Sequence, residues 1–320
     1  ISRRFSLMTS RTVELTGTDY VSWEKVAEDW SAAGNTLTGG DGSQKKPYLI
    51  GSAEELALFA YRVNLGETGL CAKMTTDINL FGSKYAGVVD ADATIENIDR
   101  ALGWVSIGDE MRGMRYTGTF DGGGFQIDSV LMCHEVYASS NSGFFGTLGE
   151  GAVIQNLGIN SGKLILSGNR GSIVGKVYGT GVKILNCWNK VSPVGGGTGG
   201  GILGWTIADD LLIENCSNMA DIKDGNSLGG IVGSGNKMVI RNCYSTGNVS
   251  GGSSRNGGIA GDWPNSSIEN CYFNKQYFSS GGIGVTEEQM KTWAFAYALN
   301  VQSIEGPWQY NEGGYPILDS

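Results

Sequence analysis

The sequence predicts an all-β fold, a right-handed parallel β-helix with three short strands per coil and roughly 27–30 residues per coil, closed by a short helix near each end. Three observations predict it. The pattern Ile-x-Asn-Cys recurs at Ile184-Leu185-Asn186-Cys187, Ile213-Glu214-Asn215-Cys216, Ile240-Arg241-Asn242-Cys243 and Ile268-Glu269-Asn270-Cys271, with degenerate copies at Ile154 and Ile127. A glycine-bounded register keeps step with it through Gly143-Phe144-Phe145-Gly146, Ser172-Ile173-Val174-Gly175, Gly201-Ile202-Leu203-Gly204, Gly230-Ile231-Val232-Gly233 and Gly258-Ile259-Ala260-Gly261. Glycine makes up 52 of the 320 residues and proline only 5, with no Gly-X-Y period, so turns are abundant and collagen is excluded.

Each repeat contains three apolar runs, such as "GGIVG", "MVIRN" and "GNVSG", too short for helices and bounded by Gly, Asn or Ser. Stacked by parallel hydrogen bonds at about 4.8 Å, such units bury a ladder of Ile, Val and Leu. The paired glycines are expected to supply bends and positive φ at the corners. Asparagine tolerates the left-handed conformation and its amide bonds the amide one coil above, so Asn156, Asn186, Asn215, Asn242 and Asn270 are expected to form a ladder. The next residue then points inward, making Cys187, Cys216, Cys243 and Cys271 small buried hydrophobes. The alternative, a staircase of disulfides or metal ligands, requires torsions that parallel in-register side chains seldom offer.

Read in order, residues 1–35 form an N-terminal segment whose structure the sequence leaves open. Residues 36–75 form an N-terminal cap with a helix near 53–64, where Ser52-Ala53-Glu54-Glu55 has the capping-box form and Leu56, Leu58, Phe59 and Val63 make an apolar face. Residues 76–284 form the β-helix, with an irregular acidic insertion near 82–109. Residues 285–320 form a C-terminal helix and cap, opening on Thr286-Glu287-Glu288-Gln289 and packing through Met290, Trp293, Phe295 and Leu299.

Chemistry is sparse. The single histidine, His134, adjoins Cys133, but neighbours on a strand face opposite ways, so a Cys-His pair is not expected. Neither Cys-x-x-Cys nor His-Glu-x-x-His occurs, and no metal or cofactor is expected. Carboxylates on neighbouring coils are the enzyme candidates, because a retaining glycosidase pair needs a separation of about 5 Å. The outward position, however, reads Asp128, Gln155, Leu185, Glu214, Arg241, Glu269, which fits an ion-pair ladder better than a catalytic pair. Asp90, Asp92 and Asp99 in the insertion match no familiar calcium loop.

Binding has the better lead. Trp188, Ser217, Tyr244 and Tyr272 follow the ladder cysteines, and if cysteine faces in, these face out as an aromatic stripe able to stack on sugars or anchor a protein. Trp188, Tyr244 and Tyr272 are therefore the expected ligand-binding residues. Trp205 and Trp263, after "GILG" and "GIAG", are similar but less regular. The formal charge of −9 argues against nucleic acid and anionic membrane surfaces, and no window is apolar enough to insert in a bilayer.

The stretches "RYTGTFDGGGFQIDSV", "GFFGTLGEGAVIQNLGI", "GGIVG" and "NCYSTGNV", together with "GGDGSQKKPYLIGSAEELALFAYRVN" and the closing "VTEEQMKTWAFAYALN" and "GGYPIL", resemble the GLUG-motif repeat proteins of bacterial surfaces. The resemblance covers the chain from about residue 36. It implies a secreted, extracellular or cell-surface, adhesin-like protein that binds glycan or a host surface protein. The start at Ile1 is compatible with removal of a leader, and a monomer is expected. A polysaccharide hydrolase or lyase and a purely structural stalk are the alternatives.

Overall fold

The computed structural model describes residues 3–6, 12–15, 36–80, 104–108, 110, 113–133, 141–166, 168–251, 255–278 and 280–319. From Tyr48 to Val285 the chain winds as a solenoid whose successive turns pair in parallel. A first sheet stacks five strands, from Phe145–Leu148 through Val174–Val177, Leu203–Thr206 and Val232–Ser234 to Ala260–Asp262. A second stacks eight, from Tyr48–Ile50 to Ser267–Glu269, and a third stacks eight, from Ile78–Asn79 to Ile283–Val285. A fourth face is split into a three-stranded and a two-stranded piece. A fifth sheet runs from Asn141–Ser142 to Asn256–Gly257.

Each full turn therefore carries five short strands where three were expected. The additional ones, such as Ser227–Gly229 and Tyr244–Ser245, are two or three residues long and too polar or glycine-rich to form an apolar run. The lateral register aligns Phe120, Ile154, Ile184, Ile213 and Ile240 in one fully buried column. Burying one such side chain is worth roughly 1.5–3 kcal/mol, and the stack multiplies it along the axis.

Asparagine makes the corner between the second and third sheets. Asn156, Asn186, Asn215, Asn242 and Asn270 have φ between 49° and 54°. Asn186 Nδ2 donates to Asn156 Oδ1 at 2.9 Å, Asn215 to Asn186 at 3.0 Å, and Asn270 to Asn242 at 2.9 Å. Asp121 accepts from Asn156 at one end of the row, and Asn270 donates to the carbonyls of Ala298 and Leu299 at the other. A second amide stack lies inside the coil: Asn189 Nδ2 donates to Asn218 Oδ1 at 2.8 Å, and both side chains are fully buried.

The repeated glycines differ from expectation. Gly171, Gly175, Gly200, Gly204, Gly229, Gly233, Gly257 and Gly261 are absent from the positive-φ residues. Their constraint is close approach where the fifth sheet turns into the first. A Cβ on Gly229 would lie 2.8 Å from Ala260 Cα and from Gly261 N, and one on Gly200 would lie 2.6 Å from Gly233 N. Positive φ falls instead on the corner asparagines, on scattered turn glycines and on a few other turn residues such as Asp210, Asp224 and Lys237.

Helix α1, Ala53–Asn64, covers the N-terminal end. Ser52 caps it by accepting from Glu55 N, while the Glu55 carboxylate accepts from Gly51 N at 2.7 Å, one residue before the cap. Leu56, Leu58, Phe59 and Val63 are buried, and Phe59 meets Tyr116 and Phe120 edge-on or tilted, at 6.1 and 5.7 Å. At the other end the expected single helix divides into α2, Glu287–Met290, and α3, Trp293–Leu299, because Thr292 caps a new start by accepting from Phe295 N. Thr286 and Gln289 form a full capping box. Trp293 faces outward, 56% exposed, rather than joining Met290, Phe295 and Leu299 in the packed side. Of the insertion, only 104–108 is described: Trp104 stacks on Phe144 at 4.7 Å, and Ile107 bridges to Phe145. Asp90, Asp92, Asp99 and His134 lie outside the described residues.

Two stability tests follow from the corners. Gly229→Ala forces the Cβ onto backbone and is expected to cost about 1–3 kcal/mol or more in urea unfolding, whereas Gly196→Ala, with open space around it, is expected to be near neutral. Asn215→Ala loses both the amide bond and an easily held left-handed backbone, about 2 kcal/mol in all. Asn215→Gly keeps the backbone and is expected to recover part of that loss.

Candidate functional site: an aromatic and cationic strip on the first sheet

The stripe after the ladder cysteines is mostly not open to solvent. Tyr244 is fully buried and donates its hydroxyl to Pro316 O at 2.7 Å. It packs with Met290, Phe295, Leu299 and Trp308, so this position of the third sheet is the seat of the C-terminal cap. Tyr272 sits at the edge of the same cluster, 5.1 Å from Phe295, with its hydroxyl donating to Asn270 Oδ1. Trp188 is half-buried: its indole lies over Gly158, where a Cβ would collide with the ring, and Lys190 Nζ stands 4.8 Å from it. Tyr244 is thus removed as a ligand-binding residue and Tyr272 is tied into the cap, because a segment distant in sequence folds over the stripe.

The cysteines sit inside. Cys187, Cys216, Cys243 and Cys271 are free and buried. Their thiols lie near backbone carbonyls, for example Cys271 Sγ to Glu269 O at 3.2 Å. Burial, followed by the neighbouring Cys216, pushes the Cys187 and Cys243 thiols well up, which opposes reaction as thiolates. On the outward ladder Arg241 makes a fork with Glu214, at 2.6 and 3.2 Å, while Glu269 accepts from Ser267. Glu214 and Glu269 are thus separated by two coils and an arginine.

A different face gathers aromatic and charged groups in the open. Along the outside of the first sheet, register places Thr147, Lys176, Trp205, Ser234 and Asp262 in one column. Tyr116 bridges to Leu148, so Arg115 begins that column one rung earlier. Beside it stand Tyr178, Ile207 and Trp263, exposed by 41, 46 and 38%. Gly149 leaves the rung between Arg115 and Tyr178 without a side chain, and the Arg115 guanidinium lies 3.6 Å over the Tyr178 ring. Lys176 Nζ is 5.1 Å from the Tyr178 ring and 4.9 Å from the Trp205 ring. Cations held against π faces stiffen all four side chains.

Glu110 organises the cationic end. Its carboxylate accepts from Lys176 Nζ at 3.0 and 2.7 Å, from Asn141 Nδ2 at 2.7 Å and from Arg115 Nη2 at 3.4 Å. Desolvation works against its charge, but Lys176 first, then Asn141 and Arg115, outweigh that and hold Glu110 below the usual 4.5. Trp205 was visible in the sequence as an irregular aromatic. Arg115, Tyr178 and Glu110 were not, since they come from a different coil, a turn and the insertion's return.

Among the described residues no group of three His, Cys, Asp or Glu is placed to hold a metal, and no helix is long and apolar enough to cross a membrane. No family model and no curated protein matches the chain. The fold is similar to that of a Bacteroides ovatus crystal structure described as a "putative immunoglobulin A1 protease", with a TM-score of 0.58 and 20% identity over 89% of this chain and 96% of that one. At that identity the likeness shows a shared solenoid fold.

The lowered Glu110 makes a signed prediction. A carboxylate held down in the folded state stabilises fully above its unfolded value and loses that contribution as pH falls through its folded value. The melting-temperature advantage of wild type over Glu110→Gln is therefore expected to be full above pH ~5 and to shrink on acidification below 4.5.

Proposed function

We propose that the chain is the binding portion of a secreted bacterial surface protein of the GLUG-repeat kind, adhesin-like, which recognises glycan through the strip formed by Arg115, Lys176, Tyr178 and Trp205. The observation that carries this reading is a pair of aromatic rings held by cations on one parallel sheet, Tyr178 exposed and Trp205 half-buried beside it. Such rings present a large apolar face to the apolar face of a sugar and lose little side-chain freedom on binding. Parallel strands about 4.8 Å apart repeat such contacts along an extended chain. The acidic chain, with a formal charge of −9, fits an extracellular glycan better than a nucleic acid.

The protease named for the structural neighbour suggests a second role, cleavage of a protein. It finds little support in this chain. The described cysteines are buried, and Glu214 is engaged by Arg241. A recognition function on the same scaffold, delivering a surface protein to glycoproteins, accommodates both the fold and the strip.

The test is retention of the purified chain on immobilised plant, mucin and host-matrix polysaccharides and glycoproteins, with released saccharide ends scored in the same wells. Retention without release, reduced at least ~10-fold in Trp205→Ala and Tyr178→Ala and unchanged in Trp188→Ala, is the expected result. Release of saccharide would replace this reading with the polysaccharide-active enzyme. Silence in both channels would leave the stalk.

A further inference from the structure

We infer that the ligand of this strip is an acidic sugar, bearing a carboxylate or sulfate that docks on Arg115 while its ring stacks on Trp205; this deepens the glycan reading and rests on it. The first support is unspent hydrogen-bonding capacity. Arg115 has five N–H donors but among the described residues makes one hydrogen bond, the long 3.4 Å contact to Glu110. Its Nε is buried with no acceptor at all. The side chain as a whole is nonetheless 35% exposed.

The second support is pre-positioning. A guanidinium laid on the Tyr178 ring at 3.6 Å keeps its planar fork in one orientation, and that fork matches two oxygens of a carboxylate or sulfate. Gly149 is what permits this reach, since a side chain there would occupy the rung the arginine crosses; even a Cβ would lie 3.2 Å from Arg115 Cβ and 2.8 Å from Thr117 Cγ2. Lys176, next to both rings, occupies both oxygens of the Glu110 carboxylate, which leaves the charge of Arg115 largely uncompensated.

The third support is the local charge. Among the described residues the cluster sets two cations against one carboxylate, Glu110. Further along the face, Asp209 is neutralised by Lys237 at 2.9 Å. Glu150 borders the strip on the turn after Gly149, exposed and solvated. The negative charge of the rest of the chain is screened beyond a Debye length of about 8 Å at physiological salt, so it does not set the sign felt at the strip. Glu110 has a separate part: by neutralising Lys176 and drawing on one donor of Arg115, it holds both cations in place without saturating the guanidinium.

The experiment is titration calorimetry of the whole chain against matched pairs of probes that differ in the charged group: oligogalacturonate with its methyl ester, sialyllactose with its sialic acid methyl ester, and sulfated with desulfated chondroitin oligosaccharides. At least one acidic member is expected to bind roughly tenfold or more tightly than its neutral partner, with the gap shrinking at high salt. Arg115→Gln is expected to close the gap by weakening the acidic member roughly tenfold more than the neutral one, Arg115→Lys to restore part of it, and Trp205→Ala to weaken both members of the pair. Thermal melts of each variant establish that the fold persists. Which pair shows the gap distinguishes a carboxylate from a sulfate source. Equal binding of acidic and neutral members, unaffected by Arg115→Gln, would overturn the acidic preference and leave the glycan reading standing. Absence of binding by every probe, in wild type and Trp205→Ala alike, would remove both.

Discussion

The in-register parallel stack is the constraint on which the rest of this molecule depends. Each coil pairs with the next residue for residue, as in Val153↔Lys183, Ile154↔Ile184 and Gln155↔Leu185. A position in one coil therefore has its counterparts above and below as its closest neighbours, and the residue there must be compatible with copies of itself about 4.8 Å away. Isoleucine satisfies that by packing and asparagine by donating one amide to the next. Charge satisfies it only by alternation, as at Glu214, Arg241 and Glu269.

One residue departs from this rule and shows how the rule is met. Arg170 stands in the fifth sheet with no exposed surface, one coil from Gly199 and one from Ser142. The missing side chain of Gly199 lets the guanidinium pass upward, where it donates to the carbonyls of Gly195, Lys223 and Asp224. Desolvation draws it down to about 10, against the pull of Asp224, yet it remains charged at neutral pH. A cation deep in a solenoid is accommodated because one glycine leaves a gap and corner carbonyls line it. The same device, a glycine that clears a rung for a long arginine, operates on the outer face with Gly149 and Arg115.

The ends illustrate how function and closure compete for surface. A solenoid exposes core and strand edges at its termini unless something covers them. Here the C-terminal segment folds back over the third sheet, so that Trp308 Nε1 reaches Asn242 O and Tyr244 becomes the centre of a small second core. Aromatic residues on that face serve the cap. On the first sheet Tyr178, Ile207 and Trp263 are exposed among the described residues, and there aromatics reach solvent.

Whatever repeats can be read from the order of residues alone. Spacing of Ile-x-Asn-Cys is enough to predict the coil, the asparagine corners, the inward cysteines and the burial of the isoleucine column from Ile154 on, because each follows from contacts between equivalent positions; before that the pattern misleads, since Phe120 and Asp121, not Ile127 and Asp128, pair with Ile154 and Gln155. The capping helices were legible for a related reason: Ser52 and Thr286 act on backbone three residues away. Features that depend on unlike segments meeting emerge only once the chain is packed. The two-residue strands were hidden because their pairing partners, and not their own composition, make them strands. The glycine columns owe their identity to backbone on the opposite side of a corner rather than to their own φ. Trp188 and Tyr244 occupy the same repeat position, yet one lies against a glycine and the other beneath a cap made by residues 290 to 316. The strip likewise joins Glu110 and Arg115 to Lys176, Tyr178 and Trp205 across separate coils, a meeting that no local pattern records.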